Sequence, residues 1–222
     1  MRALRAGKKK MKKLINKFVI FAFATLAFAG HSMAADEAAD QLVKRISTEV
    51  IDAAKNDKDI QAGNQKRIND LVEAKILPYV NFQRMTSLAV GKSWREATPE
   101  QQKLLVTEFR TLLVYTYSGA IAQIRDQQVE FKPFRAAPED TEVEVRTQVI
   151  QKRGEPIQLS YRLEKAPGGW KIFDINVLGA WLVETYKGSF ASEISKSGID
   201  GLIKTLTEKN KKLAAAPAKP AK

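Results

Sequence analysis

A change in hydrophobic periodicity near Gln128 divides the chain and limits the folds that it can adopt. Before this point apolar residues recur every three or four positions, which is the spacing of amphipathic helices. After it apolar and polar residues alternate, with Val143, Val145, Thr147 and Val149 in one run. Alternation of this kind predicts strands with one buried side and one solvent-facing side. Helices followed by strands, rather than alternating with them, predict an α+β domain.

Four helices are predicted before the change in periodicity and two near the C-terminus. Pro78 should end the second helix, and Gly91 can cap the third. Thr98-Pro99-Glu100-Gln101 has the pattern of a capping box and starts a fourth helix that is expected to reach about Ile124. Residues 112–117 of that helix are apolar nearly all the way round, which is typical of a helix covered on most sides. Either the domain covers it, or part of its surface faces something apolar that is not protein. The predicted ranges are 36–55, 64–77, 81–90, 98–124, 179–196 and 198–213.

The alternating half predicts an antiparallel sheet of about four strands. Turn signals at Arg153-Gly154-Glu155-Pro156 and Ala166-Pro167-Gly168-Gly169 separate the last three strands. The expected fold is α+β, with helices packed on one face of a curved sheet and an apolar cavity between the long helix and that face. The predicted strands are 129–134, 143–149, 157–163 and 170–177.

Residues 1–34 have the pattern of a secretory signal peptide. Lys12, Lys13 and Lys17 precede an apolar run at 18–30, and Ser32-Met33-Ala34 follows as a cleavage site. The apolar run is shorter than the about 20 residues that span a bilayer, so a cleaved export signal is favoured over a retained membrane anchor. Cleavage after Ala34 is expected to release a soluble periplasmic chain. It would comprise one domain at 35–213 and a disordered tail at 214–222.

Removal of the export segment changes the chemistry that the chain can perform. The segment holds eight of the 37 basic residues and no acidic one, which leaves 29 basic against 25 acidic residues and a net charge of +4 instead of +12. No basic cluster with interleaved aromatics remains, so nucleic-acid binding is not expected. His31 is the only histidine and cysteine is absent. The exported chain therefore has no Ser-His-Asp or Cys-His nucleophile and no zinc site of the Cys/His type, and no metal or cofactor is expected.

Polar residues of the strands give little support to an enzyme. Glu142 and Glu144 lie two apart on the solvent-facing side of a predicted strand, where a solvated surface is the simpler interpretation. Asp174 and Asn176 lie among apolar residues and are the better candidates for carboxylate chemistry. Buried polar groups more often satisfy backbone hydrogen bonds, however, and this alternative is favoured.

Large apolar side chains exceed the number that a small domain of this kind needs for its core. A protein with a roomy apolar interior and no catalytic histidine is predicted to carry an apolar ligand. The residues predicted to contact it are Phe82, Met85, Phe109, Leu112, Leu113, Tyr117, Val143, Val145, Val149, Leu159, Tyr161, Trp170, Trp181, Leu182, Tyr186 and Phe190.

Two segments resemble a known family. WREATPEQQ at 94–102 and GAWLVETYKGSF at 179–190 have the order and separation of motifs in the MlaC, or toluene-tolerance, family of periplasmic phospholipid-binding proteins. The resemblance extends over about residues 38–213. Trp181, Thr185 and Lys187 stand where many members have Ser, Asn and Arg.

The resemblance implies a fold related to NTF2-like domains and a function in lipid transport. Family members carry phospholipid between an inner-membrane ABC transporter with an MCE-type subunit and an outer-membrane lipoprotein–porin complex, and so maintain outer-membrane lipid asymmetry. Two alternatives stay open because a fold does not determine a function. One is a small-molecule binder or a non-histidine enzyme on a cone-shaped α+β scaffold, and the other is a protein-binding chaperone with an apolar groove.

Overall fold

The computed structural model of the chain describes residues 37–152 and 154–215. The predicted signal peptide and residues 216–222 of the predicted tail lie outside this part. None of the helices that these residues form is both long enough and apolar enough to cross a membrane.

Helices make up the first half of the described chain, in agreement with the 3.6-residue periodicity. The longer ones coincide with the predicted segments, and a short helix lies in the segment predicted to be a polar link. The helices are α1 (Ala39–Asn56), α2 (Lys58–Gln61), α3 (Gln65–Lys75), α4 (Phe82–Val90) and α5 (Pro99–Tyr117).

The start of α5 is set by the predicted capping box. The Thr98 side chain accepts a hydrogen bond from the backbone N–H of Gln101, and the Gln101 side chain accepts one from the backbone N–H of Thr98. The end of α5 differs from the expectation, because the α-helix stops at Tyr117 and a 3₁₀ segment follows over Ser118–Gln123. Gly119 in this segment has a low helix propensity, which favours the break.

The second half forms one open, antiparallel sheet with the strand order β1-β2-β3-β4-β5. Four of its strands are the predicted ones, and the α+β fold expected from the sequence is confirmed. The fifth is a two-residue strand in a segment where a helix was expected to begin. The strands are β1 (Gln128–Phe131), β2 (Glu142–Ile150), β3 (Ile157–Ala166), β4 (Gly169–Val177) and β5 (Ala180–Trp181).

A tight turn between β4 and β5 explains the additional strand. Leu178 and Gly179 both have positive φ, at 52° and 90°. Two consecutive residues of this kind reverse the chain between antiparallel strands. The side chain of Asn176 holds the turn, since its oxygen accepts a hydrogen bond of 2.8 Å from the backbone N–H of Gly179. Leucine disfavours this backbone conformation, so local propensity does not predict the turn.

The two predicted C-terminal helices form one kinked helix, α6 (Leu182–Ala215), which runs two residues past the predicted boundary at Leu213. Gly198 has φ 71° and ψ −176° and interrupts the helical backbone. The prediction of a boundary at this residue was therefore right, although the chain continues as a helix on both sides of it.

Ion pairs and a hydrogen bond hold α4 against the sheet. The guanidinium of Arg84 forms ion pairs with Glu142 of β2 and Glu164 of β3, and it lies 3.7 Å from the centre of the Phe173 ring. Asn81, which caps α4, donates a hydrogen bond of 2.6 Å to Glu164. These contacts fix the first turn of α4 against the sheet.

Candidate functional site

The apolar face of the sheet changes in burial along its length. Val145 of β2 and Leu163 of β3 are buried, and because side chains alternate, Val149 and Leu159 lie on the same face. These last two residues are half-buried and lie nearer the hairpin that joins β2 to β3. This face, which we call the inner face, is therefore more fully covered at Val145 and Leu163 than near the hairpin.

Two apolar clusters form the core of the domain. The first joins the inner face to α1 and α3, with Ile46, Ile68 and Val145 among its buried members. The second joins α4, α5 and α6, with Met85 and Phe109 among its buried members. The sheet and the long helix α5 thus belong mainly to different clusters.

Helix α5 lies at the boundary between these clusters. Leu113 is buried in the second cluster, whereas Val114, the next residue, packs against the first. The nearly all-apolar centre of α5 is thereby covered at Leu113 and Val114, whereas Tyr117 at its end is 38% exposed. Ile175 of β4 packs against both clusters and is only partly buried. Ile175, together with Val149 and Leu159 on the same face, is thus an apolar side chain that the described chain does not fully cover.

Aromatic rings connect α5 to the first half of α6. The ring of Phe109 meets the rings of Tyr186 and Phe190 edge-on, at centroid distances of 5.0 and 5.1 Å. Burial, with the Tyr117 hydroxyl nearby, raises the pKa of Tyr186 to about 12. Tyr186 is therefore neutral at physiological pH, and the accessible end of this group is Tyr117, which is 38% exposed.

The residues predicted to contact a ligand separate into three groups. Val143, Val145, Tyr161 and Trp170 belong to or pack on the first cluster. Phe82, Met85, Phe109, Leu112, Leu113, Leu182, Tyr186 and Phe190 belong to or pack on the second. Tyr117, Val149, Leu159 and Trp181 belong to neither cluster and are half-buried or exposed.

Trp181 lies away from the other predicted residues. Trp181 of β5 lies opposite Asn176 of β4, and Asn176 in turn lies opposite Ser160 of β3. Ser160 is on the other face of β3 from Tyr161. The guanidinium of Arg162, which is also on that face, lies 3.8 Å from the centre of the Trp181 ring. The structure thus does not bring Trp181 to the inner face.

Asp174 and Asn176, the polar residues considered for catalysis, both satisfy backbone groups. The Asp174 carboxylate accepts hydrogen bonds from the backbone N–H of Ile175, at 2.9 Å, and of Val183, at 3.1 Å. Val183 is in the first turn of α6, so Asp174 caps that helix from the sheet. Asn176 holds the β4–β5 turn described above. Both side chains have structural partners that account for their position.

The titration of Asp174 gives a testable pH dependence. Burial raises the pKa of this carboxyl above its usual 3.8, against the opposing effect of its two backbone donors and of Arg162. Its contribution to stability is therefore fully present below the ordinary pKa and is lost as pH rises through the folded-state pKa. We expect Asp174→Asn, which does not titrate, to become more stable relative to the wild type as pH rises from about 3.5 upwards.

Urea unfolding at a series of pH values measures this difference. Asp52→Asn, at an exposed position on α1, removes the same charge and serves as the control. If the two substitutions followed the same pH dependence, burial of Asp174 would not perturb its titration.

Sequence reasoning missed Thr147 and Ile175 as candidate site residues. Thr147 belongs to the alternating run of β2 and was treated as one of its apolar positions. Its hydroxyl, however, is buried beside the phenol of Tyr161. The signal was present in the sequence, because Thr147 is the one polar residue in a run whose other members are Val143, Val145 and Val149.

The fold and this face define an α+β domain whose sheet has an apolar side that its helices cover only in part. Residues 44–208 match the family model described as MlaC protein, so the chain belongs to this family.

Known proteins with similar sequences carry names that refer to lipid transport or solvent tolerance. An intermembrane phospholipid transport system binding protein MlaC from Haemophilus influenzae is 27% identical over 154 residues, which cover 65% of this chain and 72% of that protein. Toluene tolerance protein ttg2D from Pseudomonas putida is 26% identical over 160 residues, which cover 72% of this chain and 74% of that protein.

A solved structure is also similar. It is a phospholipid-binding protein from Ralstonia solanacearum in complex with a phospholipid, and its sequence is 47% identical to this chain. The match covers 81% of this chain and 99% of that structure, with a TM-score of 0.76.

Proposed function

We propose that this chain binds phospholipid and carries it between membranes. The observation that carries the proposal is the set of apolar side chains on the inner face that the described chain leaves only half-buried, at Val149, Leu159 and Ile175. Support comes from a relative with 47% identity whose structure holds a phospholipid. In this proposal the acyl chains lie against the inner face and the headgroup stays in solvent.

A carrier of this kind is needed because phospholipids leave membranes very slowly. Each buried methylene contributes about 0.8 kcal/mol, so the roughly 30 methylenes of two acyl chains oppose transfer through water by on the order of 20 kcal/mol. An apolar site that shields the chains replaces this step. Buried residues such as Met85, Leu112 and Leu182 would form the walls that support the site.

Native mass spectrometry of the purified chain tests the proposal. We expect one phospholipid per chain, identified after extraction by its fragment masses. A chain that carries no lipid and turns over a soluble substrate would support the enzyme alternative. Bound peptide would support the chaperone alternative.

The proposed location is the periplasm, after cleavage following Ala34. The intact mass of the exported protein is expected to correspond to a chain that begins at Ala35. A mature N-terminus upstream of residue 18 would contradict the assignment of the apolar run as a signal peptide.

The proposed partners are an inner-membrane ABC transporter with an MCE-type subunit and an outer-membrane lipoprotein–porin complex. Exchange with both would keep phospholipid out of the outer leaflet and maintain the asymmetry of the outer membrane. Transfer of labelled phospholipid to vesicles that contain either complex, compared with vesicles that lack it, tests this part of the proposal.

A further inference from the structure

Leu178, in the turn between β4 and β5, is the most exposed of the large apolar side chains in the described part of the chain. It is 68% exposed, whereas Leu104, the next, is 48% exposed. Single exposed leucines are common on protein surfaces, but this one also has a backbone φ of 52°. Leucine disfavours this left-handed region, because its Cβ approaches the following carbonyl oxygen. Leu178 therefore has an unfavourable backbone conformation and gains little burial in return.

The turn itself does not need a leucine. Asn-Gly is a preferred pair in turns of this kind, since asparagine tolerates positive φ and is polar. The other requirements of the turn are met by Gly179 and by the side chain of Asn176, which accepts a hydrogen bond from the Gly179 backbone N–H. Residues held in disfavoured backbone conformations are concentrated at functional sites. The Leu178 side chain is therefore a candidate for a function outside the fold.

The turn lies at the end of the sheet where the inner face is less covered. The backbone N–H of Leu178 donates a hydrogen bond of 3.0 Å to the carbonyl of Gln158, near the start of β3. The preceding residue, Val177, lies opposite Leu159 and shares the inner face with it, and both side chains are half-buried. An exposed leucine thus lies directly beside the part of the inner face to which the acyl chains are assigned.

The residues around the turn suit contact with a lipid bilayer. Residues 175–183 include no charged side chain. Gly179 and Ala180, which follow Leu178, are exposed and small. Trp181 comes next and is partly buried, and tryptophan is enriched at the headgroup level of membranes. A protein partner would need a pocket shaped for Leu178, whereas the apolar layer of a bilayer accepts an aliphatic side chain without one.

We propose that the β4–β5 turn inserts Leu178 into the apolar layer of a phospholipid bilayer and so places the less covered end of the inner face at the membrane. The inference rests on the proposed function and adds to it the surface through which the carrier meets the bilayer. Insertion buries the leucine that the free protein leaves exposed, which offsets its unfavourable backbone conformation. Because one side chain supplies the contact, binding is weak and reversible, as a carrier that leaves the membrane again requires.

Binding to protein-free vesicles of phosphatidylethanolamine and phosphatidylglycerol, measured by flotation, tests this proposal. Leu178→Asn removes the apolar side chain and gives the turn a residue that it prefers, and Leu178→Met keeps an apolar side chain in the same place. Leu104→Gln, on α5, removes an exposed leucine elsewhere on the surface and is the matched control. Phospholipid per chain is measured separately, by native mass spectrometry of each purified protein.

We expect Leu178→Asn to bind the vesicles roughly tenfold more weakly than the wild type, the order of effect that burial of one leucine gives. It should unfold at an equal or higher temperature and keep its phospholipid, and the other two variants should bind vesicles like the wild type. Unchanged binding by Leu178→Asn, or an equal loss in Leu104→Gln, would overturn the inference. A loss seen only with vesicles that carry a partner complex would also overturn it, because Leu178 would then contact a protein. A wild type that carries no phospholipid would instead contradict the proposed function.

Discussion

Leu159→Arg is expected to remove bound phospholipid from the protein while leaving the domain folded. Leu159 is half-buried on the inner face, opposite Thr147 in the β2–β3 ladder. An arginine at this position can extend its charged end to solvent in the absence of lipid, so the fold should persist. When acyl chains cover the site, the guanidinium is desolvated without a partner, at a cost of several kcal/mol. Since 1.4 kcal/mol corresponds to a factor of ten in the dissociation constant, the affinity for phospholipid should fall by more than tenfold.

Gln158→Arg is the matched control for this variant. Gln158 precedes Leu159 and is exposed on the other face of the same strand, so the control adds the same charge at nearly the same place. Phospholipid per chain is measured by mass spectrometry of the purified variants, and circular dichroism reports whether each is folded. If folded Leu159→Arg kept as much lipid as Gln158→Arg, the inner face would not be the acyl site.

The architecture of this domain follows closely from local patterns in its sequence. The capping box at Thr98 starts α5 as expected, and period-two alternation places Val145 and Leu163 together on the buried side of the sheet. Both features depend on neighbouring residues alone. Local patterns of this kind can therefore be read without knowledge of the rest of the fold.

A short hairpin whose turn needs a disfavoured backbone conformation was not predicted. The strand β5 exists because Leu178 accepts a backbone conformation that leucine disfavours, and the turn is held by Asn176 and by pairing with β4. Propensity favoured helix for the same residues. Tertiary contacts decided between the two.

The sequence indicated which apolar residues could form the candidate site, but it did not indicate how they are arranged in space. Periodicity shows which side of an element is apolar, but it does not show which neighbour covers that side. Leu113 and Val114 are adjacent in sequence and pack on different clusters, and Trp181 lies on the other face of the sheet. The distinction between walls and accessible surface therefore required the packed structure.

Phe109→Ala is expected to cause a large loss of stability. Phe109 is fully buried and contacts two aromatic rings of α6, so its removal leaves a cavity that helices α5 and α6 cannot easily close. Truncations of this kind lower the free energy of unfolding by about 3–5 kcal/mol. Because the total free energy of unfolding of a domain is about 5–15 kcal/mol, the variant should be close to unfolding.

Leu104→Ala on the same helix is the control, because Leu104 is 48% exposed and its truncation should change stability by less than about 1 kcal/mol. Phe109→Leu retains most of the buried volume and remains measurable if the alanine variant fails to fold. Denaturant unfolding gives the three free energies. Similar values for Phe109→Ala and Leu104→Ala would mean that the aromatic contacts do not hold α5 against α6.

The Phe109→Leu variant also separates core residues from residues that touch lipid. Phe109 belongs to the predicted contact set, but the structure packs its ring within the second cluster, whereas Leu159 belongs to neither cluster. Substitution of a residue that only supports the wall should lower stability without changing the amount of lipid per folded chain. Substitution of a residue in the acyl site should lower the amount of lipid without lowering stability. We therefore expect Phe109→Leu to be less stable than the wild type and to keep its lipid, and loss of lipid from the folded variant would place Phe109 in the binding site.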